Sequence, residues 1–456
     1  MPTPDPDPAA GGQASAVSVR AILRLALPSS AVFLMATIMG LVMIRFASAL
    51  GPDAVAAVNA GTRLYNVFIA LCAGISAGTL ALVSNAWGAG QREEAARLLQ
   101  LSLLMALALG ALLSVLSAAA VPALIDAFGL AAEANAEAVG YSRWLSMFFA
   151  PMAFCLVLTV GLRSAGDVRT PVMLALLINA GWLLLAWRWS THPPLGLEPH
   201  VRWIALGMGL GHVPGAVVAY LLWKRRRLVL GPVPNDGGDA RRLRALLYTG
   251  YPSALEQALL QFGVIAFIGI TGRYGTAAFA AYGTGISLLS LAMVVGVGFS
   301  MAVSVLVGQQ LGAGSPENAR LAAMRALKLC VIVLGVPGIV LALNAGPVAL
   351  WLTGDAEIAR LTVVAIYAFT AVLPMLAVEF CIGGALRGAG DTRFPLLNVL
   401  AGLFVVRFGL AWLLSRAGFS IEWIYATLVA DYSVKSALLL WRFRSGRWTH
   451  ARIRKK

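Results

Sequence analysis

The sequence predicts an all-α membrane protein with twelve transmembrane helices, and three observations lead to this prediction. Hydrophobic residues make up 59% of the 456 residues, charged residues make up 12%, and the mean hydropathy is +0.82. A soluble domain averages about 45–50% apolar and about 25% charged residues. Apolar runs of helix length recur along the chain, and the chain contains an internal repeat. This composition excludes a soluble enzyme and a disordered chain.

The twelve spans follow from the apolar runs, since a transmembrane helix needs about 20 apolar residues. Loops that contain Gly and Pro separate most of the runs. The clearest runs, Leu98–Ile125 and Leu329–Leu352, contain no charged residue. The predicted spans are 25–49, 55–83, 97–121, 140–163, 171–189, 202–223, 246–270, 277–306, 326–351, 361–385, 395–415 and 421–441.

The distribution of positive charge predicts the orientation of these spans. With the N-terminus inside, 25 of the 35 lysines and arginines fall on the inner side and six on the outer side. Inner loops of membrane proteins carry an excess of Lys and Arg. We therefore expect both termini in the cytoplasm, and the net charge of +15 reflects topology first and binding to anionic lipids second. We expect no nucleic-acid partner.

The two halves of the chain match at a constant offset of 224 residues, with no gap between Pro28 and Pro171. Six spans are an even number, so both halves insert with the same orientation. We therefore predict two six-helix lobes related by a pseudo-two-fold axis along the membrane normal. The matched strings include Gly88-Ala89-Gly90 with Gly312-Ala313-Gly314, and Ala165-Gly166-Asp167 with Ala389-Gly390-Asp391.

The repeat divides the chain into five predicted segments. They are a disordered N-terminal tail (1–18), an N-lobe with six spans (19–223), a basic cytoplasmic linker (224–245), a C-lobe with six spans (246–441) and a basic cytoplasmic tail (442–456). The N-terminal tail has no basic n-region, so we predict no cleavable signal peptide. Two-lobed transporters of this kind bind substrate between their halves and work by alternating access.

Four strings, in order along the chain, resemble motifs of the multidrug and toxic compound extrusion (MATE) family. They are Y-P-S-A-L-E-Q (Tyr251–Gln257), L-V-G-Q-Q-L-G-A-G (Leu306–Gly314), G-A-L-R-G-A-G-D-T-R-F-P (Gly384–Pro395) and R-F-R-S-G-R-W (Arg442–Trp448). The chain resembles bacterial members of this family over nearly its whole length.

The resemblance implies a secondary antiporter of the bacterial cytoplasmic (inner) membrane. Such a protein exports amphipathic, often cationic organic compounds (drugs, dyes or metabolites) in exchange for protons or sodium ions. The expected partners are a small-molecule substrate and the lipid bilayer, and we expect a monomer. No cofactor is expected, only the transported coupling ion.

The sequence departs from the family pattern in its N-lobe. Many members carry an aspartate on the first helix, about fifteen residues after its proline, where this chain has Met43. On the fifth helix Asn179 matches the family, but the aspartate one turn later is replaced by Leu183. Because the acids expected for sodium are depleted, we favour protons as the coupling ion; whether the N-lobe keeps a cation site is left open.

Two acidic residues within spans of the C-lobe are the candidates for ion or proton coupling. Glu256 lies in the seventh span and Glu379 in the tenth. A charge at the middle of the bilayer costs about 2.5–3.5 kcal/mol, so such residues need a partner or a function. A carboxylate in a cavity can exchange a proton as access alternates. The structural alternatives are an ion pair of Glu256 near the inner surface and a pair of Glu379 with an arginine such as Arg407.

Further charged residues of the C-lobe are predicted to form a structural ion pair. Asp431 and Lys435 lie one turn apart on the twelfth span and can pair. Arg407, on the eleventh span, is expected at the depth of Asp431. We therefore expect Arg407 to form a structural ion pair with Asp431, with a role in ion coupling as the alternative.

The repeated inner loops carry an arginine and, four residues later, an aspartate, which we predict to act as an inner gate. The pairs are Arg163 with Asp167 and Arg387 with Asp391. Each can pair within its own loop or with a neighbouring loop, and a role in loop stability alone is the alternative.

Polar and aromatic side chains of three spans are candidates for lining a cavity, although such residues also serve in cores. An aromatic ring face binds a flat cation with about 0.5–2 kcal/mol. The candidates are Asn59, Tyr65, Gln257, Gln261 and Tyr282. Pro28 and Pro252, within the first and seventh spans, are expected to bend their helices.

Enzyme chemistry is not expected from this sequence. The four histidines lack an H-E-x-x-H pattern, and the four cysteines lie in apolar stretches that indicate core packing. No metal site is therefore predicted. Two other functions remain open: a lipid-linked saccharide flippase with a cationic cavity, and a membrane receptor or scaffold without a coupled ion site.

Overall fold

The computed structural model describes residues 18–192, 200–271 and 274–450, and it is built from helices. The helices of the first half are α1 (Val19–Ser48), α2 (Pro52–Gly88), α3 (Arg92–Asp126), α4 (Ala132–Ser146), α5 (Phe149–Ser164), α6 (Arg169–Thr191) and α7 (Val201–Lys224). Those of the second half are α8 (Asp239–Thr271), α9 (Thr276–Gly312), α10 (Pro316–Leu343), α11 (Ala345–Thr353), α12 (Ala356–Gly388), α13 (Arg393–Val399), the π segment (Leu400–Phe408), α14 (Gly409–Arg416) and α15 (Ile421–Arg444). A short 3₁₀ turn, Arg447–His450, follows α15.

A helix lies at each of the twelve predicted spans. Within the described residues, nine helices are long and apolar enough to cross a membrane, and the bent pair α4–α5 is a tenth candidate. Several helices begin earlier than predicted; α8 starts at Asp239 rather than at residue 246. The reason is that the apolar run marks only the part of a helix that lies in lipid, while a polar first turn extends it into water. The predicted terminal tails, apart from Ser18 and residues 442–450, lie outside the described residues.

Three spans are less regular than the apolar runs predicted. The fourth span is broken between Ser146 and Phe149 with a bend of 55°. The ninth ends at Leu343, where Asn344 donates to the carbonyl of Val340 at 2.8 Å, and a second helix follows. The eleventh contains the π segment between two α-helical parts. In contrast, α1 and α8 continue through Pro28 and Pro252, so the bending predicted at these prolines does not interrupt either helix.

The internal repeat is visible in the backbone of the turns. Gly90 and Gly314 have φ angles of +74° and +73°, and Gly166 and Gly390 have +86° and +81°. Glycine is the residue that adopts this left-handed conformation without steric cost. The repeated Gly-Ala-Gly and Ala-Gly-Asp strings therefore encode the same turns twice.

The chain forms two compact units. The C-terminal unit comprises residues 18–30, 88–90 and 255–450, and the N-terminal unit comprises 31–87 and 91–254. The division falls inside α1 and α8, so the lobe boundaries at residues 223 and 246 stay a prediction from the repeat. In the C-terminal unit, α12 packs against α9, α10 and α15; in the N-terminal unit, α6 packs against α7 and α3 against α5.

Close packing of α9 on α12 positions the polar residues of the C-terminal unit. Gly384 and Gly388 face the backbone of Ser300 and Ser304, where an added Cβ would overlap. The hydroxyl of Ser304 donates to the carbonyl of Gly384 at 2.7 Å. Small residues at such a contact let the two backbones approach closely, and this approach brings the side chain of Arg387 to Ser300.

Candidate functional site

Six ionisable side chains, which we call the charged cluster, lie within the helices of the C-terminal unit. They are Glu256 of α8, Glu379 and Arg387 of α12, Arg407 of the π segment, and Asp431 and Lys435 of α15. Asp431 is completely buried and Lys435 is 2% exposed, whereas the side chain of Glu379 is 20% exposed. Buried charges are stable only when they are paired and hydrogen-bonded, so the pairing within the cluster decides what each residue can do.

Glu256 is held by the arginine of the second repeated loop. The Nη1 atom of Arg387 donates to Oε1 of Glu256 at 2.9 Å, and its Nη2 atom donates to the Ser300 hydroxyl at 3.2 Å. The predicted site residues Glu256 and Arg387, which belong to separate predictions, therefore form one ion pair that joins α8 to α12.

Lys435 lies between two carboxylates. Its Nζ atom is 3.2 Å from Oδ1 of Asp431 and 3.8 Å from Oε1 of Glu379. It also lies 4.8 Å from the centre of the Tyr432 ring. The hydroxyl of Ser436 donates to the carbonyl of Met375 at 3.0 Å, which fixes α15 against α12 beside this contact. Glu379 thus has a lysine as its partner, and not the arginine that the structural alternative proposed.

Arg407 does not pair with Asp431, and this part of the sequence prediction is wrong. Its Nη2 atom donates to the Tyr282 hydroxyl at 2.9 Å, and its guanidinium lies 4.2 Å from the centre of the Phe267 ring. An expectation of equal depth does not specify the direction in which a side chain points. Arg407 lies in the π segment, whose altered helical phase changes where side chains point.

The two aspartates of the repeated loops have different partners. Asp167 caps α6, because its Oδ1 accepts from the backbone N–H groups of Arg169 at 3.0 Å and Thr170 at 3.1 Å. Asp391 instead forms an ion pair of 2.8 Å with Arg442 at the end of α15. Of the two open alternatives, pairing with a neighbouring element therefore applies to Arg387 and Asp391. Arg163 is buried, at 5% exposure.

The candidate cavity residues are placed in different environments. Tyr65 lines an apolar cavity of about 150 Å³ within the N-terminal unit, where its ring centre lies 5.8 Å from that of Phe68. Tyr282 is buried and bound to Arg407. Asn59 and Gln257 are exposed, and Gln261 is half-buried. A cavity lined by these five residues stays a prediction.

The two N-lobe positions that depart from the family pattern carry apolar side chains. Met43 is 7% exposed, and its sulfur accepts a hydrogen bond from the Tyr141 hydroxyl at 3.1 Å. Leu183 is half-buried. Asn179 donates to the carbonyl of Ala175, within its own helix, at 2.7 Å.

A charged network at the start of α3 was missed by the sequence analysis. Arg97 donates to Asp239, with 2.7 Å between Nε and Oδ1. Arg242 forms ion pairs with Glu94 and Asp236. The shortest nitrogen–oxygen distance is 2.6 Å to Glu94 and 2.5 Å to Asp236. The hydrogen bond from Arg242 holds the pKa of the Asp236 carboxyl below its usual range. The acids Asp236 and Asp239 in an otherwise basic linker were the available signal.

No group of three His, Cys, Asp or Glu side chains that could hold a metal ion occurs in the described part of the chain. The four cysteines are buried as free thiols.

Comparison with known proteins identifies the family. The MatE family model matches residues 28–182 and 252–413. The probable multidrug resistance protein NorM of Thermotoga maritima is 27% identical over 437 residues, covering 94% of this chain and 92% of the relative. A FAD transporter of Shewanella oneidensis is 27% identical over 365 residues, covering 76% and 77%.

Solved structures show the same fold. The MATE crystal structure in the straight conformation superposes with a TM-score of 0.85 at 22% identity, covering 94% of this chain and 96% of that chain. The Vibrio cholerae MATE transporter VcmN in the bent form gives a TM-score of 0.87 at 19% identity, covering 96% and 98%.

The fold therefore defines the class of protein: a multi-pass, all-α membrane protein with twelve transmembrane helices in two six-helix lobes. The family model matches well over half of the chain, and the chain belongs to the MatE family. The resemblance expected from its four sequence motifs is confirmed.

Proposed function

We propose that the protein exports amphipathic, often cationic organic compounds across the bacterial cytoplasmic membrane in exchange for protons, with both termini in the cytoplasm and as a monomer. The observation that supports this proposal is Glu379, a carboxylate within the helices whose side chain is 20% exposed and which has a lysine at 3.8 Å as its partner. Relatives named as multidrug resistance proteins support the substrate class.

Exchange follows from competition for one carboxylate. An ionised Glu379 attracts an organic cation, because a charge that lies largely out of water gains most from a counter-ion. A proton bound to the same carboxylate removes that attraction and releases the cation. The proton and the organic cation cannot bind together. As access alternates, export of the organic cation is therefore coupled to entry of a proton.

Glu256 has a second role in this scheme. Its 2.9 Å contact with Arg387 joins α8 to α12, the helix that also carries Glu379. Protonation of Glu256 would break the ion pair and release Arg387 from α8. We therefore assign Glu256 to the step that links proton binding to helix movement, and Glu379 to the binding of cations.

The flippase alternative requires an excess of positive charge to bind pyrophosphate. The charged cluster contains three carboxylates and three basic side chains, so it offers no such excess. We therefore retain the exporter as the proposed function.

The test is proton-driven ethidium efflux in inverted membrane vesicles. Glu256→Gln and Glu379→Gln should each reduce the efflux rate to background at wild-type expression. Glu317→Gln, which removes an exposed carboxylate from the first turn of α10, is the matched control and should retain wild-type efflux. Wild-type rates in the double variant of Glu256 and Glu379 would refute the proposal. Replacing sodium by potassium at fixed pH should leave the rate unchanged if protons are the coupling ion.

A further inference from the structure

Lys435 is a buried basic side chain, and a glycine on the neighbouring segment leaves the space that it occupies. It is 2% exposed, and Gly402 of the π segment faces it. A Cβ on Gly402 would overlap both the Asp431 carboxylate and the aliphatic part of Lys435. A side chain larger than hydrogen at residue 402 is therefore incompatible with the lysine in this position.

Two carboxylates share the ammonium of Lys435. Asp431 and Glu379 contribute two negative charges, and the ammonium between them contributes one positive charge. Both oxygens of Asp431 and the Oε2 atom of Glu379 are buried without a hydrogen-bond partner. Arg407 adds a second positive charge to this region, but its hydrogen bond is to Tyr282 and no ion pair joins it to either carboxylate. Glu379 therefore has only the 3.8 Å contact with Lys435, which leaves it the carboxylate with the weaker hold on a base.

The two carboxylates differ in access. Asp431 is completely buried and lies closer to the ammonium, at 3.2 Å. Glu379 is 20% exposed and lies at 3.8 Å. Asp431 thus serves as the permanent counter-ion of Lys435, and Glu379 is the group that a mobile cation can reach.

We propose that Lys435 is a tethered cation that fills one of two monovalent-cation positions between Asp431 and Glu379, and thereby restricts the site to a single exchangeable charge. This inference rests on the proposed role of Glu379 and adds the residue that selects the ion. With the ammonium in place, the site lacks the paired free carboxylates that a sodium ion needs as oxygen ligands. Without it, two carboxylates on adjacent helices form such a ligand pair.

The experiment measures binding of ²²Na⁺ to the purified protein in detergent, at pH 8 and constant ionic strength with choline as the replacement cation. Lys435→Gln should gain saturable sodium binding, more than about tenfold tighter than wild type, because a nearby positive charge is removed. Lys435→Arg keeps the charge and should bind as weakly as wild type. The double variant Asp431→Asn/Lys435→Gln removes one charge of each sign and should return to the wild-type level.

Two results would overturn the proposal: no gain of sodium binding in folded Lys435→Gln, or equal binding by the single and double variants. If Lys435→Gln does not fold, Lys435→His purified at pH 5.5 provides the same test. On transfer to pH 8 the histidine loses its positive charge, so this variant should begin to bind sodium while wild type does not. If the variant binds no sodium at pH 8, the proposal is wrong. The binding assay does not depend on transport. The sodium-binding assay therefore tests the role of Lys435, and the efflux assay separately tests the export proposal.

Discussion

The two halves of the chain share a repeated backbone but differ in the chemistry that they carry. At an offset of 224 residues, the positions of Glu256, Glu379 and Arg407 correspond to Val32, Cys155 and Leu183. The arginine of the inner loop is present in both halves, as Arg163 and Arg387. The fold therefore tolerates an apolar or a charged interior, and the second half contains the charged one.

Packing at one helix contact shows how this difference is accommodated. In the second half, Gly402 leaves room for Lys435. In the first half, the position 224 residues before Gly402 is Ile178, and an added Cβ on Gly215 of α7 would overlap it. Gly215 thus leaves room for Ile178 in the first half as Gly402 leaves room for Lys435 in the second, and only the second of these two side chains is charged.

The largest expected effect comes from removing the partner of a buried acid. Arg387→Gln leaves Glu256 without its counter-ion and should lower the free energy of unfolding by about 3–5 kcal/mol. Glu256→Gln/Arg387→Gln removes both charges and should recover most of this loss. Unfolding in mixed micelles measures both values; equal stability of Arg387→Gln and wild type would show that the pair is not needed.

The next effect tests the close contact of Gly402 with Asp431 and Lys435. Gly402→Ile places the first-half residue in the second half, where it overlaps Asp431 and Lys435, and should destabilise the protein by about 2–3 kcal/mol. The control is Gly283→Ile, because Gly283 of α9 has open space at its Cβ. Thermal unfolding followed by tryptophan fluorescence compares the two variants. A similar loss for both would contradict the packing argument.

A smaller effect distinguishes the two repeated aspartates. Asp167 acts as a helix cap, so Asp167→Ala should cost about 1 kcal/mol, whereas Asp167→Asn should cost little because asparagine also caps helices. Asp391 binds Arg442 as an ion pair, so Asp391→Asn should lose the charge-dependent part of that contact. The measurement is the melting temperature at low and high salt. Only the Asp391 variant should reduce the dependence on salt.

The smallest effect concerns the linker network, which belongs to the first half. At the matching positions of the second half, Glu94 and Arg97 are replaced by Asn318 and Leu321. The hydrogen bond from Arg242 lowers the pKa of Asp236 in the folded protein. Asp236 therefore stabilises the fold at pH values above its pKa in the unfolded chain, about 3.9, and this stabilisation is lost as pH falls through its pKa in the folded protein. The melting-temperature difference between wild type and Asp236→Asn should be constant above about pH 4 and shrink below it. A difference that grows on acidification would contradict this sign.

Sequence alone predicted the helices and the repeat well, because both depend on local information. The apolar run Leu98–Ile125 requires a helix in lipid whatever its neighbours are. The prediction of Arg407 with Asp431 failed because depth along a helix does not define which face a side chain occupies, and the π segment changes that face. The sequence did not predict the pair of Glu256 and Arg387, because the two residues are 131 positions apart and no local pattern connects them. Each was assigned to a different predicted site.

The amino-acid sequence by itself determined the membrane class, the spans, the duplicated turns and the family, because hydropathy, glycine conformation and motifs are properties of short segments. Tertiary structure alone decided the other partners of the buried charges: Arg387 with Glu256, Arg407 with Tyr282, and Lys435 with Glu379. These pairings depend on the rotation and close approach of helices distant in sequence. A buried charge binds the nearest group of opposite sign or suitable polarity, and only the packed structure brings that group near.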